Sequence, residues 1–168
     1  MSKMKSLVLV GVAIMLVFSL CACSKDSSSN AGGGASSGNI GEIKEITVAD
    51  GIKISAICPK SWNDFSDQAS DAWKNSLYFS EADEPGVYSK PYFIIKYSDI
   101  KATVGGNGEE VSIESNGATW TGLYDSSYKT FNLVKLLDDG TSATLMSVGM
   151  EEDNNIFKAV LASVKVTK

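Results

Sequence analysis

The 168-residue chain contains no histidine, and all 15 of its basic residues are lysines, so arginine is absent too. Histidine is the commonest general base and metal ligand, so its absence excludes histidine-dependent triads and histidine-based zinc sites. Arginine is the usual bidentate clamp for carboxylates and phosphates, so arginine-based phosphate recognition is excluded as well. We therefore expect a non-catalytic protein without a cofactor or a metal ion.

Cysteine is scarce, with three residues in the chain. Cys21 and Cys23 lie near the N-terminus, which leaves Cys58 as the one thiol of the remaining chain. Cys58 shares an alternating face with Ile52 and Ile54. We expect a buried, small apolar residue there and no disulfide within the folded part.

The N-terminus has the pattern of an export signal. Two lysines precede an apolar run at residues 7–20, which is about 14 residues long. A run of this length suits a signal peptide and is shorter than the roughly 20 residues of a membrane helix. Leu20, Ala22 and Cys23 resemble positions −3, −1 and +1 of the cleavage site of bacterial lipoproteins.

This resemblance implies that the leader is removed before Cys23 and that a diacylglyceryl group is attached to the sulfur of Cys23. Two acyl chains hold a protein stably on a membrane, whereas one chain binds it only marginally. The expected location is the extracytoplasmic face of the cell membrane. An uncleaved helical anchor and an ordinary secretory signal remain alternatives.

Composition divides the chain into three parts: a signal peptide at residues 1–22, a lipid-anchored Ser/Gly-rich linker at 23–41, and one globular domain at 42–168. The linker has few large apolar side chains and should behave as a coil spanning roughly 20–25 Å. Without the leader, 13 lysines face 20 acidic residues, which gives a net charge near −7. This charge disfavours nucleic acid as a partner.

Three turn signals, Asp50-Gly51, Asn116-Gly117 and Asp138-Asp139-Gly140, each separate two alternating segments. Such residues adopt the positive φ angles of tight turns, so they predict β-hairpins. The predicted strands cover residues 45–48, 52–58, 77–80, 92–98, 111–115, 118–124, 131–137 and 142–148.

Two segments have helical spacing of apolar residues. Residues 63–75 form the weaker pattern, and residues 153–163 form an amphipathic pattern with one apolar stripe. Helices outside a hairpin-built sheet indicate an α+β domain. We therefore predict an antiparallel β-sheet of hairpins flanked by helices, with a C-terminal amphipathic helix.

Three segments resemble PsbP-like domains. They are residues 51–62, which end in Pro59-Lys-Ser-Trp62, the predicted hairpin at 116–124, and the closing segment at 157–166. The resemblance implies an antiparallel sheet flanked by helices and a role in protein interaction. It supplies no catalytic residue for this chain.

Clustered acidic residues at 81–84, 138–139 and 151–153 raise the question of calcium. A calcium loop of the EF-hand type needs acids at alternating positions, a central glycine and a later glutamate. None of these stretches has that pattern, so we expect a solvated acidic surface and no metal.

Aromatic residues are the remaining candidates for function. The chain has more aromatic residues than strand alternation would bury on one face. The remaining ones could form a surface patch that contacts a partner or a ligand. Its predicted members are Tyr88, Tyr92, Trp120, Tyr124 and Tyr128, although Trp120 also suits the sheet core. The first hypothesis is a membrane-anchored accessory module with an envelope protein as partner. The alternative is a lipoprotein that binds a small ligand or a glycan through this patch.

Overall fold

A computed structural model describes residues 40–66 and 74–168 of the chain. In this part of the chain, strands dominate and one short helix lies near the C-terminus. The elements are β1 (Gly41–Ala49), β2 (Ile52–Pro59), β3 (Asn63–Asp64), β4 (Ser76–Ser80), β5 (Tyr92–Ser98), β6 (Glu109–Ser115), β7 (Ala118–Asp125), β8 (Thr130–Leu136), β9 (Ser142–Val148), α1 (Asn155–Ser163) and β10 (Lys165–Thr167).

The strands form two antiparallel sheets. The smaller sheet has the order β1-β2-β10, and the larger has the order β3-β4-β5-β9-β8-β7-β6. The three predicted hairpins are confirmed as β1–β2, β6–β7 and β8–β9. Asp50 and Gly51 have φ angles of 46° and 81°, and Asn116 and Gly117 have 50° and 73°. Positive φ at both central residues is what a type I′ turn requires.

The main core lies between the two sheets. Ile54 on β2 and the α1 residues Phe157 and Val160 pack against one face of the seven-stranded sheet, where Trp120 and Phe131 are fully buried. We call this the inner face and the opposite side the outer face. Strand alternation separates them, so that Leu145 of β9 belongs to the inner core and Met146 to a second cluster on the outer face.

Helix α1 is fixed at both ends. Asn154 is its N-cap, and its side-chain oxygen accepts hydrogen bonds from the backbone N–H groups of Ile156 and Phe157 at 2.8 and 3.2 Å. At the other end, the Ser163 hydroxyl donates to the carbonyl of Val160 and accepts from the N–H of Ile57 at 2.8 Å. The helix begins two residues later than predicted and ends at the predicted residue.

The connection from β5 to β6 crosses the outer face. It must pass β9, β8 and β7 to reach the far edge, which is roughly 19 Å at normal strand spacing. The Ser142 hydroxyl on β9 donates to the carbonyl of Ile100 at 2.8 Å and accepts from the N–H of Ala102 at 3.0 Å. These two bonds hold the start of the connection against the sheet.

The predicted fold class, an α+β domain with helices flanking the sheet, is wrong. The described residues are mostly β, and a second sheet together with α1 covers the inner face. Within the segment predicted as the first helix, Asn63–Asp64 pair with β4 instead, and the N–H of Phe65 donates to the carbonyl of Tyr78 at 2.8 Å. Pairing with the open edge of β4 supplies backbone hydrogen bonds, and these outweigh a short run of apolar residues at helical spacing. Residues 67–73 of that segment lie outside the described residues.

The predicted leader, Cys23 and almost all of the linker also lie outside the described residues. Across residues 40–66 and 74–168, we find no helix with the length and apolar character needed to traverse a bilayer.

Candidate functional site

The outer face of the seven-stranded sheet is the surface that the second sheet and α1 leave uncovered. The strand register places Tyr78, Ile94, Met146, Asn132 and Leu123 in one row across five strands. Tyr78 and Ile94 are buried, whereas Met146 and Leu123 are partly exposed. The row therefore runs from a covered aromatic end to an open apolar end.

A shallow depression of about 250 Å³ lies in the middle of the outer face. Ile94 and Met146 provide apolar lining, while Lys96, Asn132 and Thr144 provide polar groups. Residues 103–105 of the crossing connection form its remaining wall. Burial lowers the pKa of Lys96, because desolvation penalises its charged form. A mixed lining of this kind suits one apolar side chain with polar neighbours.

Large apolar side chains are exposed at both ends of the strands that carry this depression. Leu136 belongs to the outer face of β8 and is 52% exposed, and Ile100 in the crossing connection is 67% exposed. Tyr88 is 53% exposed beside β5, and Tyr128 is 75% exposed in the turn between β7 and β8. Leu136 and Ile100 therefore lie at the Ser142 end of β9, and Tyr88 and Tyr128 lie near its Val148 end.

The structure brings only some of the predicted aromatic residues together. The rings of Tyr88 and Tyr92 meet edge to face with centroids 5.5 Å apart. Tyr92 is buried on the outer face, and burial raises the pKa of its hydroxyl. Tyr128 lies in the turn that precedes Thr130, and the register pairs Thr130 with Val148, which pairs with Tyr92. Tyr88, Tyr92 and Tyr128 therefore lie at the same end of the sheet.

Trp120 and Tyr124 belong to the inner face instead. Trp120 is fully buried, with the Lys135 ammonium 5.4 Å from its ring centre. The ring of Tyr124 stacks on Phe131 at 4.3 Å, and Phe131 stacks on Phe157 at 4.4 Å. Alternation along β7 puts Trp120 and Tyr124 on one face, and it is the face that the core covers.

The hydroxyl of Tyr124 reaches the surface at the edge of the core. It donates to Glu151 Oε2 at 2.7 Å, and Lys129 Nζ contacts Glu151 Oε1 at 2.7 Å. The hydrogen bond with Glu151 raises the pKa of Tyr124 to about 12. Hydrogen bonds from Lys129 and then Tyr124 lower the pKa of Glu151. The three side chains form a closed network that connects β7, the following turn and the segment before α1.

Sequence reasoning missed Ile100, Leu136 and the depression itself. A signal for Leu136 was available, because β8 reads Phe-Asn-Leu-Val-Lys-Leu and carries apolar residues on both faces. A strand that is half covered normally alternates apolar with polar residues, so an apolar residue on the second face indicates a second contact. No local sequence pattern predicts the depression, because residues 103–105, which form part of its wall, are distant in sequence from the β8 and β9 residues that line it.

Within residues 40–66 and 74–168, there is no group of three or more cysteine, aspartate or glutamate residues placed to hold a metal ion. Comparisons with protein-family models, curated proteins and solved structures found no match for this chain. The resemblances to lipoproteins and to PsbP-like domains therefore stay predictions.

Proposed function

We propose that the protein is a membrane-anchored, extracytoplasmic binding module without catalytic activity. In this proposal an acylated Cys23 holds it on the membrane, and the outer face of the seven-stranded sheet binds an envelope protein. The anchor rests on the sequence pattern at Leu20, Ala22 and Cys23.

The exposed apolar side chains at both ends of the strands that carry the central depression are the observation that carries the binding role. Leu136, Ile100, Tyr88 and Tyr128 are each more than half exposed, and none of them belongs to the inner core or to the smaller outer cluster. Protein interfaces are enriched in tyrosine at their centres, where apolar anchors fill small pockets. The depression of about 250 Å³ is of the size that such an anchor fills.

Charge on the same face indicates the chemistry of the partner. Glu110 and Glu114 on β6 and Asp125 on β7 belong to the outer face by their register. They form an acidic margin beside the apolar centre. A partner with one apolar anchor and a basic rim would complement this surface, and opposite charges would speed its association.

Site-specific photocrosslinking in intact cells tests the proposal. A photoreactive residue placed at Tyr128 or Leu136 should form a crosslink to one discrete protein. Ile43 on β1 of the small sheet is a matched control, because it is 66% exposed and lies on the other sheet. The same probe at Ile43 should not form that product.

A second experiment uses charge. Replacing Glu110 and Glu114 together by glutamine should reduce the yield of the crosslink, because the basic rim of the partner would lose its counter-charges. Equal products from Tyr128, Leu136 and Ile43, or no discrete product from the outer face, would contradict the proposal.

A further inference from the structure

A second concave site lies away from the outer face, where β1, the end of β2 and β3 meet. This groove has a volume of about 360 Å³, which is within the range of small-molecule sites. The N–H of Lys60 donates to the carbonyl of Ile40 at 2.6 Å, which continues the pairing of β1 with β2 beyond Pro59. We name this concave site the Trp62 groove, and its lining includes the side chains of Glu42, Lys44, Lys60, Trp62, Asn63 and Asp64.

Trp62 gives the groove a fixed aromatic wall. Its indole ring stacks on the fully buried ring of Phe93, with centroids 5.4 Å apart and planes 29° apart. Trp62 is itself only partly buried. The core therefore holds the ring in one orientation while part of the side chain remains available to a ligand, which lowers the entropy cost of binding.

Polar side chains surround this wall. Asn63 is held by a hydrogen bond from its Nδ2 to the carbonyl of Ala82 at 2.8 Å, which leaves its amide oxygen as an acceptor. Asp64 Oδ1 accepts from the N–H of Ser66 at 3.1 Å, so this carboxylate is also fixed in place. Lys60 is exposed at the rim and provides a donor, and the exposed Glu42, whose Oε2 lies 3.5 Å from Lys44 Nζ, provides an acceptor.

The charge of the lining selects among ligands. Glu42 and Asp64 carry two negative charges, and Lys44 and Lys60 carry two positive charges. An ionised ligand would be attracted by one pair and repelled by the other, so a net charge on the ligand would not strengthen its binding. An apolar ligand would desolvate the polar side chains without replacing their hydrogen bonds.

We propose that the Trp62 groove binds a neutral saccharide unit. One face of the sugar ring packs on the indole of Trp62, and its hydroxyl groups bond to Glu42, Asp64 and Lys60. Hydroxyl groups both donate and accept, so they match a lining that holds carboxylates, an amide and ammonium groups. This site is separate from the outer face, so its test and the crosslinking test can fail independently.

Nuclear magnetic resonance of the full-length protein tests this assignment. The chain has three tryptophans and therefore three indole N–H signals. The signal that is missing in Trp62→Phe identifies Trp62. Titration with glucose or N-acetylglucosamine should shift that signal, while sodium phosphate and glycine serve as anionic and zwitterionic comparison probes.

Variants then locate the binding. Trp62→Ala lacks that indole signal, so its titration is followed through the backbone amide signals. It should weaken saccharide binding by about tenfold or more, as expected for an aromatic residue at the centre of a contact. Glu42→Gln changes an exposed side chain without loss of shape, so it keeps the fold and should weaken binding by about tenfold through the lost charged hydrogen bond. Thr47→Ala, on the exposed side of β1, should leave binding unchanged.

The proposal is overturned if neither sugar shifts the Trp62 signal, or if only phosphate or glycine does so. A shift confined to another indole signal would overturn it as well. Saccharide binding that survives both Trp62→Ala and Glu42→Gln would place the site elsewhere and reject the assignment.

Discussion

Two buried serines of the seven-stranded sheet differ in whether their hydroxyl groups have hydrogen-bond partners. Ser142 and Ser147 are both fully buried on β9. The hydroxyl of Ser142 bonds to Ile100 and Ala102, whereas that of Ser147 has no partner within the described residues. An unpaired buried hydroxyl loses its hydration without compensation, which costs about 1–3 kcal/mol.

We therefore predict that Ser147→Ala raises the free energy of unfolding by about 1 kcal/mol, because the small cavity offsets part of the gain. Ser142→Ala is the matched control and should lower it by about 1–2 kcal/mol, since it leaves the backbone groups of the crossing connection unpaired. Urea denaturation of both variants measures the difference. Equal destabilisation by the two substitutions would contradict the prediction.

The thiol of Cys58 should react slowly in the native protein. Cys58 is 6% exposed, and burial, followed by the charge of Asp64, raises the pKa of its thiol to about 11. The thiolate is the reactive form, so the native thiol should react with iodoacetamide at pH 8 at least about 100-fold more slowly than in urea. Mass spectrometry of the peptide containing Cys58 follows the reaction. Equal rates in native and denatured protein would show that the thiol is accessible.

At the scale of elements, the network of Tyr124, Glu151 and Lys129 connects three segments of the chain. Both partners lower the pKa of Glu151, so its ionised form is favoured by folding. A carboxyl group with a depressed folded pKa contributes stability above its unfolded pKa, and that contribution is lost as the pH falls through the folded value. Tyr124 behaves oppositely, because its folded pKa of about 12 is raised.

The stability difference between wild type and Glu151→Gln should therefore be largest between about pH 5 and 10. It should shrink below pH 4.5, the ordinary pKa of the carboxyl group, and again as Tyr124 approaches its pKa. Denaturation midpoints measured across this range test the expectation. Glu152→Gln, at an exposed neighbouring residue, controls for the loss of one negative charge. A difference that is constant with pH would contradict the role of the network.

An element can be predicted from the sequence when the residues that determine it lie close together along the chain. Asn116-Gly117 predicts the β6–β7 hairpin because the turn needs two residues with positive φ, and those residues are adjacent. The pairing of Tyr97 with Ala143 joins β5 to β9 across 46 residues, and no local pattern encodes it. The short β10 was missed because three residues carry almost no periodic signal.

The same reasoning applies to the candidate site. Alternation along β7 puts Trp120 and Tyr124 on one face, but it carries no information on which face a second sheet will cover. The exposed Tyr88 and Tyr128 lie in connections rich in polar residues, and their exposure could be anticipated from that context. Residues 103–105 reach the depression only because the crossing connection follows from the strand order.

At the scale of the whole molecule, charge and anchoring act in opposite directions. The chain that the proposed cleavage would leave has a net charge near −7 and would be repelled by anionic lipid headgroups, so surface attraction would not hold it on a membrane. Two acyl chains on one residue supply a stable attachment. The Ser/Gly-rich linker predicted from the sequence would then keep the acidic domain away from the headgroups.

Matched cysteine variants test this arrangement. Mass spectrometry of the N-terminal peptide should show a diacylglyceryl group on Cys23, and membrane fractionation should place the wild-type protein in the pellet. Cys23→Ala should remove the acyl mass and the processing of the leader. Cys21→Ala should leave both unchanged, because the predicted cleavage discards that residue with residues 1–22. An unacylated Cys23 in the native protein, or a Cys23→Ala variant processed and bound as the wild type is, would show that fatty chains do not anchor this protein.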